Sequence, residues 1–480
     1  MSEAAATKPD IKTKKTFKMP DIYVVLVGII MVMGILTWIV PAGEYARQVM
    51  ETVHGSKTVV IPGSFEYVAS SPVGFFDLLF SIPRGLENAA ELVFMTLLVG
   101  GAIGVIRRTG IIEMGVNYLL TVLGQRTQLM IPILTLSFAT ISGFIGVPEL
   151  SIAFLPIVMP LMFRLGYDSI TATAIAMLPT TLGFAFGITI PGTVGIGQAI
   201  SELPLFSGAW LRALTLFGAM VICIVYTMRY ASRIKANPEA SLMYAEDLNT
   251  RQALAADNQA SVSEYSFRHK LAGIFTLLMF AAIITAILKL GLSYSQMGAL
   301  FMGMAIVTSL IAGDSLDRMC QNFNTSFKEM LVGALIVGIA RAISLVMMDG
   351  NIIDTIVHGM EVAVSSLPNS LTVIGIFIGQ LLINFPVPSG SGQTILTMPV
   401  LVPLGDLLGI TRQTLVLVTQ WGDGLTNLIF PTSGYFVATL AIARISLSRW
   451  LKFYLPLFVT LCVMAGIVMT VSNAMGYGPF

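Results

Sequence analysis

The sequence predicts an all-α polytopic membrane protein with an inverted structural repeat, about nine spans and two opposed re-entrant hairpins. Three observations predict it. The 480 residues are 55% hydrophobic and only 11% charged, with a mean hydropathy of +0.83, a composition of the polytopic helical class. Nine stretches are apolar over the roughly 20 residues that a bilayer-crossing helix needs. Two Pro/Gly clusters of the same layout also lie 240 residues apart, with Val147-Pro148 matching Val387-Pro388 and Pro191 matching Pro431.

Taken in order, residues 1–19 form a basic tail whose Lys8, Lys12, Lys14, Lys15 and Lys18 mark the cytoplasmic side. The apolar run 20–40 behind it is too long for a signal-peptide core and has no small-residue cleavage pattern, so it reads as a retained span. Loop 42–72 is mixed in charge and reads as an external hairpin. The other spans are 89–106, 168–190, 205–228, 269–289, 296–313, 330–348, 412–434 and 451–472. Residues 230–268 carry both signs of charge with no long apolar run and read as a cytoplasmic linker, which divides a first half (20–229) from a second (269–480). One span precedes 89–106, whereas two precede its counterpart 330–348. That extra crossing, with the Lys/Arg placement, reverses the second copy.

Residues 111–124 place Glu113, Asn117 and Thr121 on one helical face, and 352–366 do the same with Asp354, His358 and Glu361. Both read as interfacial amphipathic helices. Segments 128–165 and 370–409 then enter and leave on the same side as hairpins, with the N-terminus inside and the C-terminus outside. In the alternative, the amphipathic segments and the first hairpin arms all cross, giving thirteen spans. Trp38 and Trp450 fit interfacial belts. Cys223, Cys320 and Cys462 are far apart and predict neither a disulfide nor a metal site.

The clusters carry the functional signal. The first runs Ser142-Gly-Phe-Ile-Gly-Val-Pro-Glu149, then Pro156 and Pro160, and closes on Ile190-Pro-Gly-Thr193. The second runs Asn384-Phe-Pro-Val-Pro-Ser-Gly-Ser-Gly-Gln393, then Pro399 and Pro403, and closes on Phe430-Pro-Thr-Ser433. No water satisfies a broken backbone at bilayer depth, so breaks survive where they line a cavity or bind something. Matched breaks in two halves point to the binding site of a secondary transporter.

Around these clusters the sequence resembles the DcuC-type C4-dicarboxylate anaerobic carrier family, and within it the YfcC branch. The resemblance rests on Leu161-Met-Phe-Arg-Leu-Gly-Tyr-Asp-Ser-Ile170, Tyr230-Ala-Ser-Arg233, Ser389-Gly-Ser-Gly-Gln393, Pro403-Leu-Gly-Asp406, Gln420-Trp-Gly-Asp-Gly424 and Pro431-Thr-Ser433. It extends over nearly the whole chain after about residue 20. It implies an ion-coupled transporter that works as a homodimer, with a scaffold, a mobile transport domain carrying two opposed hairpins, and an elevator-like motion. The branch name implies exchange of basic amino acids, and the family name dicarboxylates. Relatives carry Gly and paired acidic residues at the first hairpin tip, where this chain has Pro148-Glu149-Leu150. Glu149 matches the first acid only, which argues against a scheme needing two carboxylates there.

Each candidate residue has a structural counter-reading. Ser389, Gly390, Ser391, Gly392 and Gln393 form a helix start that could bind a carboxylate, or a helix cap with Ser in its usual place. Glu149 and Asp423 are ionisable groups in apolar segments and hence candidates for handling a cation; Asp423 could instead be satisfied by backbone N–H groups. Thr426 and Asn427 beside it, with Thr432 and Ser433 at the second break, add oxygens for substrate or Na⁺. Thr180, Thr181 and Thr193 at the first break are ion-ligand candidates, although Thr hydroxyls also bond their own helix. Asn384 is an amide in an apolar arm and needs partners. Arg341, mid-span, could bind a substrate carboxylate, but the reading favoured here is a scaffold pair with an acidic neighbour.

The substrates expected are amino acids, basic ones first, with C4-dicarboxylates or short carboxylic acids as the alternative. No bound cofactor is expected beyond Na⁺ or H⁺ as a coupling ion. The expected location is the bacterial inner membrane, with no nucleic-acid partner. A channel would show hydrophilic stripes along its spans, and an enzyme a nucleophile–base pair or metal cluster. The spans carry no HExxH, GxSxG or His/Asp cluster.

Overall fold

The computed structural model describes residues 22–52, 55–112, 114, 115, 118, 121, 127–248, 266–290 and 292–478. The expected basic tail, Glu113, Asn117 and linker residues 249–265 lie outside them. Among the described residues, seven helices are long and apolar enough to cross a membrane. These are α1 (Ile22–Ile39), α3 (Ala90–Arg108), α8 (Ala209–Ala236), α9 (Phe267–Leu290), α10 (Tyr294–Ala312), α11 (Leu316–Asp349) and α17 (Leu447–Ala474). The span expected at 205–228 runs on to Ala236, into the expected linker.

The two remaining expected spans are broken. Segment 168–190 becomes helix α6 (Ser169–Ala185), an irregular stretch, a wide turn at Pro191–Gly195 and the short helix α7 (Ile196–Ile200). Segment 412–434 becomes α15 (Arg412–Thr426), a second irregular stretch and α16 (Gly434–Ile442). Pro191 and Pro431 lack the N–H that would continue a helical ladder, so neither stretch stays helical through its proline.

Before each broken helix stands a helix pair: α4 (Met130–Ile145) with α5 (Leu150–Arg164), and α13 (Asn369–Ile383) with α14 (Gly390–Leu408). Both arms of each pair pack against the broken helix that follows them. Starts are fixed by side-chain caps. Asp168 accepts from Thr171 N–H, Ser389 from Gly392 N–H and Thr411 from Thr414 N–H, each satisfying one of a helix's orphan donors.

The framework around these pairs is made by α2 (Phe75–Asn88), α3 and α11. The chain bends at Ala89 between α2 and α3, where φ is −97° and ψ 13°. A Cβ placed on Gly85 would meet Gly338 and Ala342, one on Gly100 Met330, one on Gly101 Phe327, and one on Gly104 Ser326. Rising numbers on one side meet falling numbers on the other, so residues 75–108 run antiparallel to α11. Small residues allow this close approach, which matters where apolar burial against lipid gives little drive. Arg107 and Arg108 close the far end on Glu329.

The expected external hairpin is present as β2 (Arg47–Thr52) and β3 (Gly55–Val60), beside a short pair, β1 (Gly43–Glu44) with β4 (Glu66–Tyr67). It docks on the amphipathic helix α12 (Ile353–Ser365). Arg47 forks onto Asp354, which also accepts Tyr45 N–H, and His358 stacks on Phe65. Burial, with the neighbouring Glu361 carboxylate, holds the Tyr45 hydroxyl above the usual tyrosine range.

Trp450, expected in an interfacial belt, does not face outward. It is fully buried and its Nε1–H donates to Leu428 O at 3.0 Å, while the Tyr454 hydroxyl donates to Leu425 O at 3.0 Å. These two rings satisfy carbonyls that the second break orphans. Arg212 does the same at the first break, donating to Ile188 O, Ser207 O and Phe206 O. Trp38 is exposed, its indole N–H on Val73 O.

Candidate functional site

Each helix pair turns at its cluster. In the first, α4 ends on Gly146, whose φ of +74° is left-handed. A Cβ there would also lie 2.3 Å from Ile190 Cγ2, so both conformation and space require glycine. Ile188 N–H donates to Gly143 O at 2.8 Å, tying the first break to this turn. In the second, residues 384–389 cross over and Ser389 caps α14. The broken helices meet near their C-terminal ends: Gln420 Nε2 donates to Phe184 O at 2.8 Å, Trp421 lies against Phe186, and Gly424 packs on Ala185.

Both turns and both breaks therefore border one cavity of about 400 Å³. The first turn contributes Pro148 and Glu149, the first break Gly192 and Thr193, the second turn Ser389, Gly390 and Ser391, and the second break Asn427, Thr432 and Ser433. Leu92, Val337 and Arg341 from the framework helices and Tyr294 from α10 close the other side. Helices α5, α14 and α16 start at this wall, as does the turn at Pro191. The positive ends of the helix dipoles favour an anion, although the first N–H groups of α5 are already bonded to the carbonyls of Val147, Pro148 and Glu149. Glu149 opposes them with negative charge, accepting the Tyr294 hydroxyl at 2.9 Å through Oε1.

Asp423 lies behind the second turn. Asn384 Nδ2 donates to its Oδ1 at 2.5 Å. A Cβ on Gly390 would fall 2.9 Å from Asp423 Oδ2 and 2.8 Å from Thr193 Cγ2, so this glycine lies between the carboxylate and the first break with no room for a side chain. Among the described residues, Glu149 Oε2, Asp423 Oδ2, Asn384 Oδ1, Thr193 Oγ1 and Thr432 Oγ1 are buried without a hydrogen-bond partner. Buried polar atoms are ordinarily satisfied. Five unsatisfied oxygens about one cavity suit a cation or a donor group.

Eight of the sequence-predicted residues line the cavity: Glu149, Thr193, Ser389, Gly390, Ser391, Asn427, Thr432 and Ser433. Asn384 and Asp423 form the buried pair behind it. Gly392 lies in the first turn of α14, its N–H on Ser389 Oγ, and Gln393 turns away to Gln380. The Thr180 and Thr426 hydroxyls bond carbonyls of their own helices, as such hydroxyls often do. Thr181 pairs with the Tyr435 hydroxyl at 3.1 Å.

Arg341 departs from expectation. Its Nε–H donates to Asn88 Oδ1 at 2.6 Å, and no carboxylate pairs with it among the described residues. Asn88 reaches it because the chain bends at Ala89, a bend with no sequence signal as strong as a proline. Tyr294 and Tyr435 were not singled out from the sequence. Each is one aromatic in an apolar stretch, and only the long-range packing brings it to the cavity.

Residues 19–474 match the model of the family described as DcuC, C4-dicarboxylate anaerobic carrier. YfcC of Escherichia coli (strain K12), whose name proposes a basic amino acid antiporter, is 32% identical, covering 99% of this chain and all of that protein. An uncharacterized protein of Haemophilus influenzae is 27% identical, covering 96% of this chain and 98% of that one. Among solved structures, the YdaH transporter of Alcanivorax borkumensis is 15% identical with a TM-score of 0.42, covering 95% of this chain and 99% of that one. MtrF of Neisseria gonorrhoeae, of a class of antimetabolite efflux pumps, has the same identity and TM-score, covering 95% of each chain. With its several apolar helices and full-length match, this chain is a multi-pass membrane protein of the DcuC family of C4-dicarboxylate anaerobic carriers, of the YfcC type.

Proposed function

We propose that the protein is a secondary transporter that exchanges amino acids, basic ones first. The observation that carries this reading is the opposition of charges about one cavity. The N-terminus of α14 and its Ser389-Gly-Ser391 turn offer donors for a carboxylate, while Glu149 and the Asp423–Asn384 pair offer acceptors for positive charge. A basic amino acid carries both kinds of group. The name of YfcC supports the same substrate class. Coupling to Na⁺ or H⁺ draws on the unpartnered oxygens of Asp423, Asn384, Thr193 and Thr432.

The second reading is a C4-dicarboxylate or short-chain carboxylate carrier. Several helix N-termini at one cavity, with Arg341 on its wall, favour it, as does the family description. The antiparallel packing of 75–108 on α11, with the same order of elements after each, supports an inverted repeat. In this reading the two hairpins belong to a domain that moves against the framework in an elevator fashion. A homodimer in the bacterial inner membrane, N-terminus inside and C-terminus outside, completes the proposal.

Counterflow into proteoliposomes loaded with arginine, ornithine, succinate or butyrate, with and without a Na⁺ gradient, tests it. Exchange of arginine and ornithine is the expected result. Exchange confined to succinate or butyrate replaces the first reading by the second, and conductance without exchange overturns both.

A further inference from the structure

Arg341 is the cationic side chain on the cavity wall, and among the described residues no carboxylate pairs with it. It sits eight residues, roughly 12 Å at 1.5 Å per residue, inside the C-terminal end of α11. A guanidinium at such a depth ordinarily pairs with a carboxylate. Here the acid of the cavity, Glu149, accepts from Tyr294 instead, and among the described residues the hydrogen bond of Arg341 goes through Nε to Asn88. With Nε occupied, the end of the fork made by Nη1 and Nη2 is the part still open to a bidentate partner.

Across the same cavity stands the start of α14. Ser389 Oγ caps Gly392 N–H, so the N–H groups of Gly390 and Ser391 are the open donors of that helix. Two donor sets, one on the framework and one on the hairpin pair, thus border a single space. A carboxylate gains most from both, since charge-assisted hydrogen bonds are roughly twice as strong as neutral ones, and a cationic group is repelled.

We propose that Arg341 is a substrate-binding residue that clamps the ligand's carboxylate from the framework side, with Asn88 positioning its guanidinium. The inference deepens the exchange reading and rests on it for the substrate class. Because Arg341 lies on α11 and the other donors lie on the hairpin pair, the carboxylate bridges the two bodies. Substrate therefore holds them together in the arrangement seen here. Lysine in place of Arg341 keeps the charge but loses the fork.

The test measures competition by arginine and by arginine methyl ester against labelled substrate in counterflow, for wild type, Arg341→Lys and Arg341→Gln, with melting temperatures in detergent. Wild type is expected to prefer arginine over its ester by at least about tenfold, the scale of a charge-assisted hydrogen bond. In Arg341→Gln the preference collapses toward one and KM for arginine rises about 10- to 100-fold, with the melting temperature retained; Arg341→Lys falls between. A wild type that does not distinguish acid from ester overturns the proposal. So does a variant that keeps the preference, or one that loses activity together with its melting temperature. Wild type that exchanges succinate and not arginine ends the amino-acid reading alone. The same ratio, taken between succinate and its monomethyl ester, then decides the role of Arg341.

Discussion

Replacing Asp423 by asparagine removes one charge and little else. The amide has nearly the shape of the carboxylate, and Asn384 Nδ2 can still donate to the remaining oxygen that it meets at 2.5 Å. The loss there is the charge-assisted part of one hydrogen bond, about 1 kcal/mol, so the melting temperature falls by only a few degrees. The effect on a bound cation is larger. Two unit charges about 4 Å apart at an effective dielectric near 20 interact by about 4 kcal/mol. Even with a quarter of that lost to competing solvation, about 3 kcal/mol remains, or roughly a hundredfold in affinity. Counterflow by Asp423→Asn should therefore show KM for the cationic species, amino acid or coupling ion, raised about a hundredfold, with the protein folded. Titrating Na⁺ at fixed arginine, and arginine at fixed Na⁺, tells which species Asp423 serves. If both constants stay within about threefold of wild type, the assignment of Asp423 to positive charge is wrong.

Two further outcomes follow from the packing. Gly390→Ala puts a methyl group 2.8 Å from Phe184 Cζ and Thr193 Cγ2 and 2.9 Å from Asp423 Oδ2; overpacking of this kind costs about 1–3 kcal/mol, so detergent melting temperature and counterflow rate should both drop, and an unchanged rate would place Gly390 outside the site. Arg212→Met leaves the carbonyls of Ile188 and Phe206 without the Arg212 donor, while Ser207 O keeps Gln198 Nε2; at about 1–3 kcal/mol for each group left unsatisfied in apolar surroundings, it should lower the melting temperature more than any substitution on the cavity wall.

Much of the site is written locally in the chain. Pro148, Pro191, Pro388 and Pro431 punctuate the apolar segments where the helices break, because a missing N–H acts on its own few neighbours. The start of α14 is legible for the same reason: Ser389, a common N-cap residue, stands just ahead of the apolar run and caps Gly392 N–H three residues on. Glu149 stands out because a carboxylate beside a proline in an apolar segment has few structural uses. What stays hidden depends on distant partners. Arg341 is conspicuous, yet only the bend at Ala89 brings Asn88 to it in place of an acid. Trp450 reads as interfacial until the second break supplies a carbonyl 22 residues away. Thr180 and Thr426 look like ligands because sequence cannot show a hydroxyl turning back on its own helix. The docking of the external hairpin on α12, through Arg47 and Asp354, spans 307 residues.

In the proposed transport cycle, the breaks of the two halves border one substrate site that faces each side of the membrane in turn. A single cysteine at Ser391, in a chain whose Cys223, Cys320 and Cys462 are replaced, reports this directly when probed with a membrane-impermeant thiol reagent from each face of oriented vesicles. Labelling is expected from both faces, with protection from both by the exchanged substrate. Labelling from one face only, or labelling that substrate leaves untouched, contradicts it.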